Sequence, residues 1–270
     1  QSDGVKASVD TTSRNAMVWW GSTGGRLLKE KPFEGQVALV TGAARRIGRA
    51  IALKLADQGA DIVIHYRRSK TEAEQVVSEI SATGRRAMAC PAELTKKQAV
   101  EKLFGAVEKS FGRLDILVNN AGLFSPARID ELTEEQWDTM LDSNLKAQFM
   151  CAQAAVPLMQ RNGRGRIINL SSIGGILAWP KYTHYCVSKA GVIMLTRCLA
   201  RALAPEITVN CVAPGTITFP DELPDSDYIK RAPLGKTGQG EDIAAAVAFL
   251  AGSDFITGQV IVVDGGRTLS

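Results

Sequence analysis

The chain has 270 residues, 45% hydrophobic and 22% charged, with a net charge of +4. That is enough apolar material for one large α/β core, and positive and negative residues are interleaved. No basic run exceeds a pair of residues, which argues against a nucleic-acid footprint.

The apolar stretches are strand-length, so no transmembrane helix and no membrane partner are expected. Five cysteines (Cys90, Cys151, Cys186, Cys198, Cys211) lie far apart without a CxxC pair. They read as reduced core residues of a cytoplasmic protein rather than a disulfide frame or zinc site. His65 and His184 are the only histidines, too few for a metal centre. Residues 1–32 are polar, rich in Ser, Thr and Gly, and lack the charged start and apolar middle of a secretory signal. They are expected to form a flexible N-terminal extension, with Met17 a candidate natural start and Trp19 and Trp20 able to dock on the body.

The domain is expected over 33–270. Val37–Val40 reads as a buried strand, Thr41–Arg46 as a glycine-containing turn, and Ile47–Gln58 as a helix ending at Gly59. The helix start turns free N–H groups and a positive dipole end toward the turn, an anion site suited to a pyrophosphate. A strand at Asp61–Tyr66 follows, then a helix at Thr71–Thr83, a strand at Ala87–Cys90 and a helix at Lys96–Phe111. Strand four, Asp115–Val118, leads into Asn119-Asn120-Ala121-Gly122. A long amphipathic helix is expected over Thr133–Arg161, bent at Pro157. Strand five (Gly165–Leu170) runs into Ser171-Ser172, and a helix extends from near Tyr185 to Leu203. Strand six (Thr208–Val212) precedes Pro214-Gly215 and an irregular stretch, Thr216–Gly240, expected to cover the substrate. A helix (Glu241–Ala251) and a strand (Gln259–Val263) close the chain. Seven strands alternating with helices predict a doubly wound, seven-stranded parallel Rossmann sheet in a single domain, with ligands beyond the strands' carboxyl ends.

Two constellations carry chemistry. About 20 positions past the glycine turn, where an acid would accept from the ribose 2′-hydroxyl of NAD, the chain has His65-Tyr66-Arg67-Arg68-Ser69. Two guanidinium forks in place of a carboxylate suit a 2′-phosphate, and Arg45 and Arg46 add positive charge, so NADP(H) is the expected cofactor. In the second, Tyr185 and Lys189 stand i, i+4 on one helix face, where an ammonium favours the phenolate and draws the tyrosine pKa down. Ser172, thirteen residues upstream in a glycine-flanked loop, is placed to hold a substrate carbonyl oxygen.

Together with Asn120-Ala121-Gly122, Ser143-Asn144-Leu145 and Pro214-Gly215, these motifs resemble the short-chain dehydrogenase/reductase family over Glu34–Ser270. The resemblance implies that Tyr185 donates a proton, Ser172 orients the carbonyl, Lys189 binds the nicotinamide ribose and Asn144 holds a relay water. It also implies cofactor contacts from Gly42, Arg45, Arg46, Ile47, Gly48, Glu93, Leu94, Asn120, Ala121, Gly122, Pro214, Gly215 and Ile217, and a homotetramer. Phe149, Met150 and Ala154 are the apolar candidates for its interfaces.

Arg46 stands where the family usually has Gly. That turn and the His65–Ser69 segment resemble pteridine reductases and dihydromonapterin reductases, with Phe124 where those enzymes stack a pterin. Ser172 and Gly122 instead resemble 3-oxoacyl-carrier-protein reductases, since pteridine reductases usually have Asp and Ser there. The expected function is NADPH-dependent reduction of a carbonyl or C=N bond, of a pterin or, alternatively, of a 3-oxoacyl thioester. A silent dinucleotide-binding regulator is the reading of another class, and it would need only the cofactor turn.

Overall fold

The computed structural model describes residues 31–270; the expected extension, with Met17, Trp19 and Trp20, lies outside them but for Lys31 and Pro32. Seven parallel strands form one sheet: β1 (Val37–Val40), β2 (Asp61–Tyr66), β3 (Ala87–Pro91), β4 (Ile116–Asn119), β5 (Gly165–Leu170), β6 (Ile207–Pro214) and β7 (Val260–Val263). Their order is β3-β2-β1-β4-β5-β6-β7, so the chain reverses its direction of travel between β1 and β4. Ligands of such sheets sit beyond the carboxyl ends at that point.

The strands read as continuous apolar runs because both faces are covered. Side chains alternate along each strand. Ala38, Val40, Ile62, Ile64, Ile116 and Val118 face one core, and Val37, Leu39, Val63 and Leu117 face the other. The first core is closed by α1 (Arg46–Asp57), α2 (Lys70–Ser81) and α8 (Gly240–Ala251), through Ile51, Leu55, Val76, Ile80, Ile243 and Val247. The second is closed by α3 (Lys97–Phe111), α5 (Ala147–Arg161) and α6 (Thr183–Leu203), through Leu103, Phe104, Cys151, Met159 and Ala200. Each fully buried Ile or Leu contributes roughly 1.5–3 kcal/mol. Leu117→Ala, which empties a site of 0% exposure in mid-sheet, would cost roughly 2–5 kcal/mol.

The expected long helix has a different form. Thr133 opens α4 (Glu134–Leu141) with a capping box to Gln136, and the chain then widens into a π-helical stretch, Asp142–Lys146, before α5. Pro157 lies inside α5, and the departure from α geometry falls at Asn144 instead. The stretch after β6 is also more ordered than its composition suggests, since it holds a short helix, α7 (Ser226–Arg231). Asp225 caps α7 by accepting from the N–H groups of Asp227 and Tyr228. Among the described residues no helix is long and apolar enough to cross a membrane, no acidic, His and Cys group has metal-site geometry, and all five cysteines are free.

Candidate active site

A cleft of about 730 Å³ runs along the carboxyl ends of the strands. Its cofactor end is built on the turn after β1. Gly42 has φ +63, and the hydroxyl of Thr41 accepts from the N–H groups of Asn120 and Ala121 at 2.9 and 3.0 Å. The Asn120 amide donates back to the carbonyls of Thr41 and Gly42, which stitches the β1 turn to the β4 loop. Gly48 must lack a side chain, because a Cβ there would lie 2.3 Å from the Gly42 carbonyl oxygen.

His65 was expected among the cofactor contacts, and its ring does face the cleft wall. Both ring nitrogens are used by backbone. Nδ1 accepts from Gly42 N–H at 3.1 Å, and Nε2 lies 3.1 Å from the Ala92 carbonyl. Burial lowers its pKa to about 4, so the ring is neutral, which assigns its proton to Nε2 and leaves Nδ1 as the acceptor. His65 is therefore a brace that sets the turn.

Three of the four arginines at this end already have carboxylate partners. Arg45 pairs with Glu72 at 3.7 Å, Arg46 with Glu222 at 2.6 Å and Arg67 with Glu93 at 2.6 Å. Glu93 and Arg67, both expected to meet the cofactor, thus face each other. Arg68 has no ion pair among the described residues and lines the cleft beside Ser69 at the start of α2. Arg46 has φ +54, the left-handed region where a side chain costs roughly 1 kcal/mol relative to Gly. Its guanidinium lies 5.0 Å from the Phe219 ring centre, so the loop after β6 grips the cofactor turn through Phe219 and Glu222.

At the catalytic end the side chains are buried. Ser172 follows β5; its hydroxyl accepts from Gly174 N–H at 3.0 Å, and it lines the cleft together with Tyr185. Lys189, one turn beyond Tyr185 on α6, donates to the Leu170 carbonyl at 2.9 Å, with its ammonium 5.8 Å from the Tyr185 ring centre. The sequence reading has Lys189 drawing the tyrosine pKa down. In the structure burial dominates, raising Tyr185 to about 12 against a smaller opposing influence of Ser172, and lowering Lys189 to about 8.

Asn144, placed by the π stretch, is fully buried. Its amide accepts from Leu123 N–H at 2.6 Å and donates to the Leu123 carbonyl and the Ser188 hydroxyl. Ser188 in turn donates to the Tyr185 carbonyl at 2.7 Å. These bonds make Asn144 a clamp joining the β4 loop to α6, at the position where a water-holding role is expected. Gly122 permits the approach, since a Cβ there would lie 2.9 Å from the Asn144 oxygen. π bulges of this kind often mark functional sites.

The expected site residues therefore meet in one place. Gly42, Arg45, Arg46, Ile47, Gly48, Arg67, Arg68, Ser69, Glu93, Leu94, Asn120, Ala121, Gly122, Phe124, Ser172, Tyr185, Gly215 and Ile217 line the cleft with His65. Asn144, Lys189 and Pro214 stand behind it. Trp179, Tyr182, Ser188, Phe219, Glu222 and Tyr228 are additions. The density of rings between Ser172 and Tyr185 is the sequence signal for the first two. Tyr228 reaches from α7 to the Asp264 carbonyl and sits where a Cβ on Gly215 would be, which explains that glycine. Of the interface candidates, Phe149 is exposed, whereas Met150 and Ala154 pack against the second core.

Residues 42–268 match the family model described as enoyl-(acyl carrier protein) reductase. The 3-oxoacyl-[acyl-carrier-protein] reductase FabG of Staphylococcus epidermidis is 44% identical over 238 residues, covering 85% of this chain and 97% of that protein. The (2S)-[(R)-hydroxy(phenyl)methyl]succinyl-CoA dehydrogenase subunit BbsD of Thauera aromatica is 43% identical over 88% of this chain and 98% of its own length. Among solved structures, a short chain dehydrogenase from Burkholderia cenocepacia in complex with NADP superposes with a TM-score of 0.83 at 38% identity, covering 88% of this chain and 99% of that one. With the sheet order, the cleft and the Ser172–Tyr185–Lys189 geometry, these likenesses establish that the chain belongs to the short-chain dehydrogenase/reductase family of oxidoreductases.

Proposed function

We propose that the protein is an NADPH-dependent reductase of ketones carried on acyl thioesters. The observation that carries the reading is the buried Tyr185 phenol, with Ser172 beside it in the lining of one cleft and Lys189 behind it, while the far end of that cleft bears Arg68 without a carboxylate partner among the described residues. The residues suit NADP(H). No acid stands among Arg67, Arg68 and Ser69 directly after β2 to repel a 2′-phosphate, Arg68 and Ser69 line the cleft, and Gly42 and Gly48 leave backbone room at the turn. When bound there, the cofactor supplies hydride.

The chain's own part is proton transfer and orientation. Ser172 donates to the carbonyl oxygen and fixes its direction toward the phenol. Tyr185, held protonated by burial, gives its proton to that oxygen as negative charge develops on it. The Lys189 ammonium favours the resulting phenolate, and Asn144 with Ser188 holds the segment bearing Tyr185 in register. A silent regulator would have no use for this group.

Relatives named for a 3-oxoacyl group on acyl-carrier protein and for an acyl-CoA support a thioester substrate. A dihydropterin is the second reading, favoured by the exposed Phe124 ring beside Tyr185. Ser172 and Gly122, at positions where pteridine reductases carry Asp and Ser, weigh against it. NADPH oxidation measured with acetoacetyl-CoA, a dihydropterin and a quinone tests the choice. Turnover of the thioester alone is expected; turnover of the pterin alone would replace the first reading by the second. We also assign a homotetrameric form, supported by the exposed Phe149 on α5 and Val187 and Met194 on α6; a monomer mass by light scattering would overturn the tetramer.

A further inference from the structure

We propose that Phe124, Trp179 and Tyr182 form an aryl subsite beside the Tyr185 ring, so that the enzyme prefers ketones bearing an aromatic ring on the carbonyl carbon. This rests on the reading of Tyr185 as the proton donor and names the substrate class of that same site.

Four aromatic rings meet here from two separate loops. Phe124 follows β4, while Trp179, Tyr182 and Tyr185 come from the connection between β5 and α6 and its first turn. Phe124 lies flat against Tyr182, centres 4.6 Å apart and planes 3° from parallel, and stands at 74° to Tyr185 with centres 4.8 Å apart. Trp179 is parallel to Tyr185 within 8° at 6.1 Å and edge-on to both Phe124 and Tyr182. These are the offset and edge-to-face arrangements that aromatic rings favour.

The group is held rigidly. A Cβ on Gly174 would lie 2.9 Å from the Trp179 ring and 3.0 Å from the Tyr185 ring, so both rings are seated on that glycine. Trp179 also packs on the small core formed by Ile173, Tyr228 and Ala232, which ties it to α7. Phe124 nevertheless remains 59% exposed and lines the cleft, with one face covered by Tyr182. An exposed, preorganised aromatic face a few ångströms from the proton-donating ring is a surface awaiting a flat apolar partner.

The lining at this end (Leu123, Phe124, Ser143, Ala147, Ser172 and Trp179) carries no charged side chain. A charged substituent would lose solvation without compensation, and a methyl group would leave the rings wet. A phenyl group covers them and gains ring–ring contact.

The test compares acetoacetyl-CoA with benzoylacetyl-CoA, which differ only in methyl against phenyl on the ketone carbon, by NADPH oxidation. The wild-type protein is expected to favour the phenyl substrate in kcat/KM by roughly tenfold, the size of one or two aromatic contacts. Trp179→Leu and Phe124→Leu should each lower that phenyl-to-methyl ratio by about threefold or more. Phe124 is exposed enough for its variant to fold, and the ratio cancels any general loss of activity. A wild-type ratio at or below one, or a ratio untouched in both variants, would overturn the subsite. Turnover of acetoacetyl-CoA without a phenyl preference would do so while leaving the ketone-reductase reading standing. NADPH oxidation with neither thioester would overturn both.

Discussion

At the catalytic end of the cleft, Asn144, Ser172, Tyr185 and Lys189 are each less than a tenth exposed, and each is held by a hydrogen bond, Tyr185 through its backbone carbonyl. At the cofactor end, the side chains of Arg45, Arg46 and Arg67 are more than half exposed and rest in ion pairs. Exposed pairs of that kind are worth roughly 0–1 kcal/mol, so a doubly charged phosphate can displace them at little cost. Buried groups cannot be rearranged so cheaply, and burial also moves their pKa values by whole units. One end is preset before any ligand arrives. The other keeps its charges in temporary partnerships.

The largest expected effect tests the preset end. Tyr185→Phe keeps the ring and its neighbours but removes the proton, so turnover should fall by roughly 10²–10⁴, while NADPH binding by fluorescence titration stays near wild type. Turnover within a few-fold of wild type would mean that the proton comes from another group.

Next in size is a pH effect from His65, a buried group at the exposed end. Folded, it takes a proton only near pH 4; unfolded, it does so near 6.5. The unfolded state therefore binds the proton first, and stability that is full above pH 6.5 drains away as the pH falls toward 4. At about 1.4 kcal/mol per pKa unit, the loss is roughly 3 kcal/mol. Urea titrations at pH 7 and 5 should show roughly 2 kcal/mol of it, the remainder appearing by pH 4, and His65→Asn should lose that pH-dependent part. A pH-independent midpoint over this range would remove His65 from the turn's supports.

Smaller effects belong to the exposed charges. Arg68→Ala should reduce the preference for NADPH over NADH by roughly 1.5–3 kcal/mol, the value of a charge-assisted contact. The difference should shrink as salt is raised, and equal NADPH and NADH affinities in the wild type would refute it. Arg46→Gly should change least. It relieves about 1 kcal/mol of left-handed strain and removes an exposed ion pair worth about as much, so denaturation should shift by less than about 1 kcal/mol either way. A large loss would show that the Phe219–Glu222 grip is stronger than its exposure suggests.

The same contrast governs what could be read from sequence. Val37–Val40 and Asp61–Tyr66 announce themselves because strands buried on both faces must be apolar throughout, and most element ends fall within one or two residues of expectation. Tyr185 and Lys189 are legible because helical spacing alone puts them on one face. Roles that depend on distant partners are not. Nothing local tells that His65 will hold Gly42, twenty-three residues away, or that Arg67 will meet Glu93. Trp179 and Tyr182 acquire meaning only when the β4 loop brings Phe124 to them. The π stretch shifts the phase of the apolar stripe, but α4 before it has only eight residues with Met140 alone buried, too short a run for the shift to be read.

That widened turn has a consequence in the arithmetic of insertion and deletion. A π turn is an α-helix carrying one residue too many, and one residue of α-helix is about 100° of rotation. Asp142–Lys146 therefore rotates α4 against α5 by roughly that angle relative to an uninterrupted helix. Removing a single residue from most helices displaces every side chain beyond the cut. Removing one here would restore a regular helix and cost the protein chiefly the Asn144 clamp.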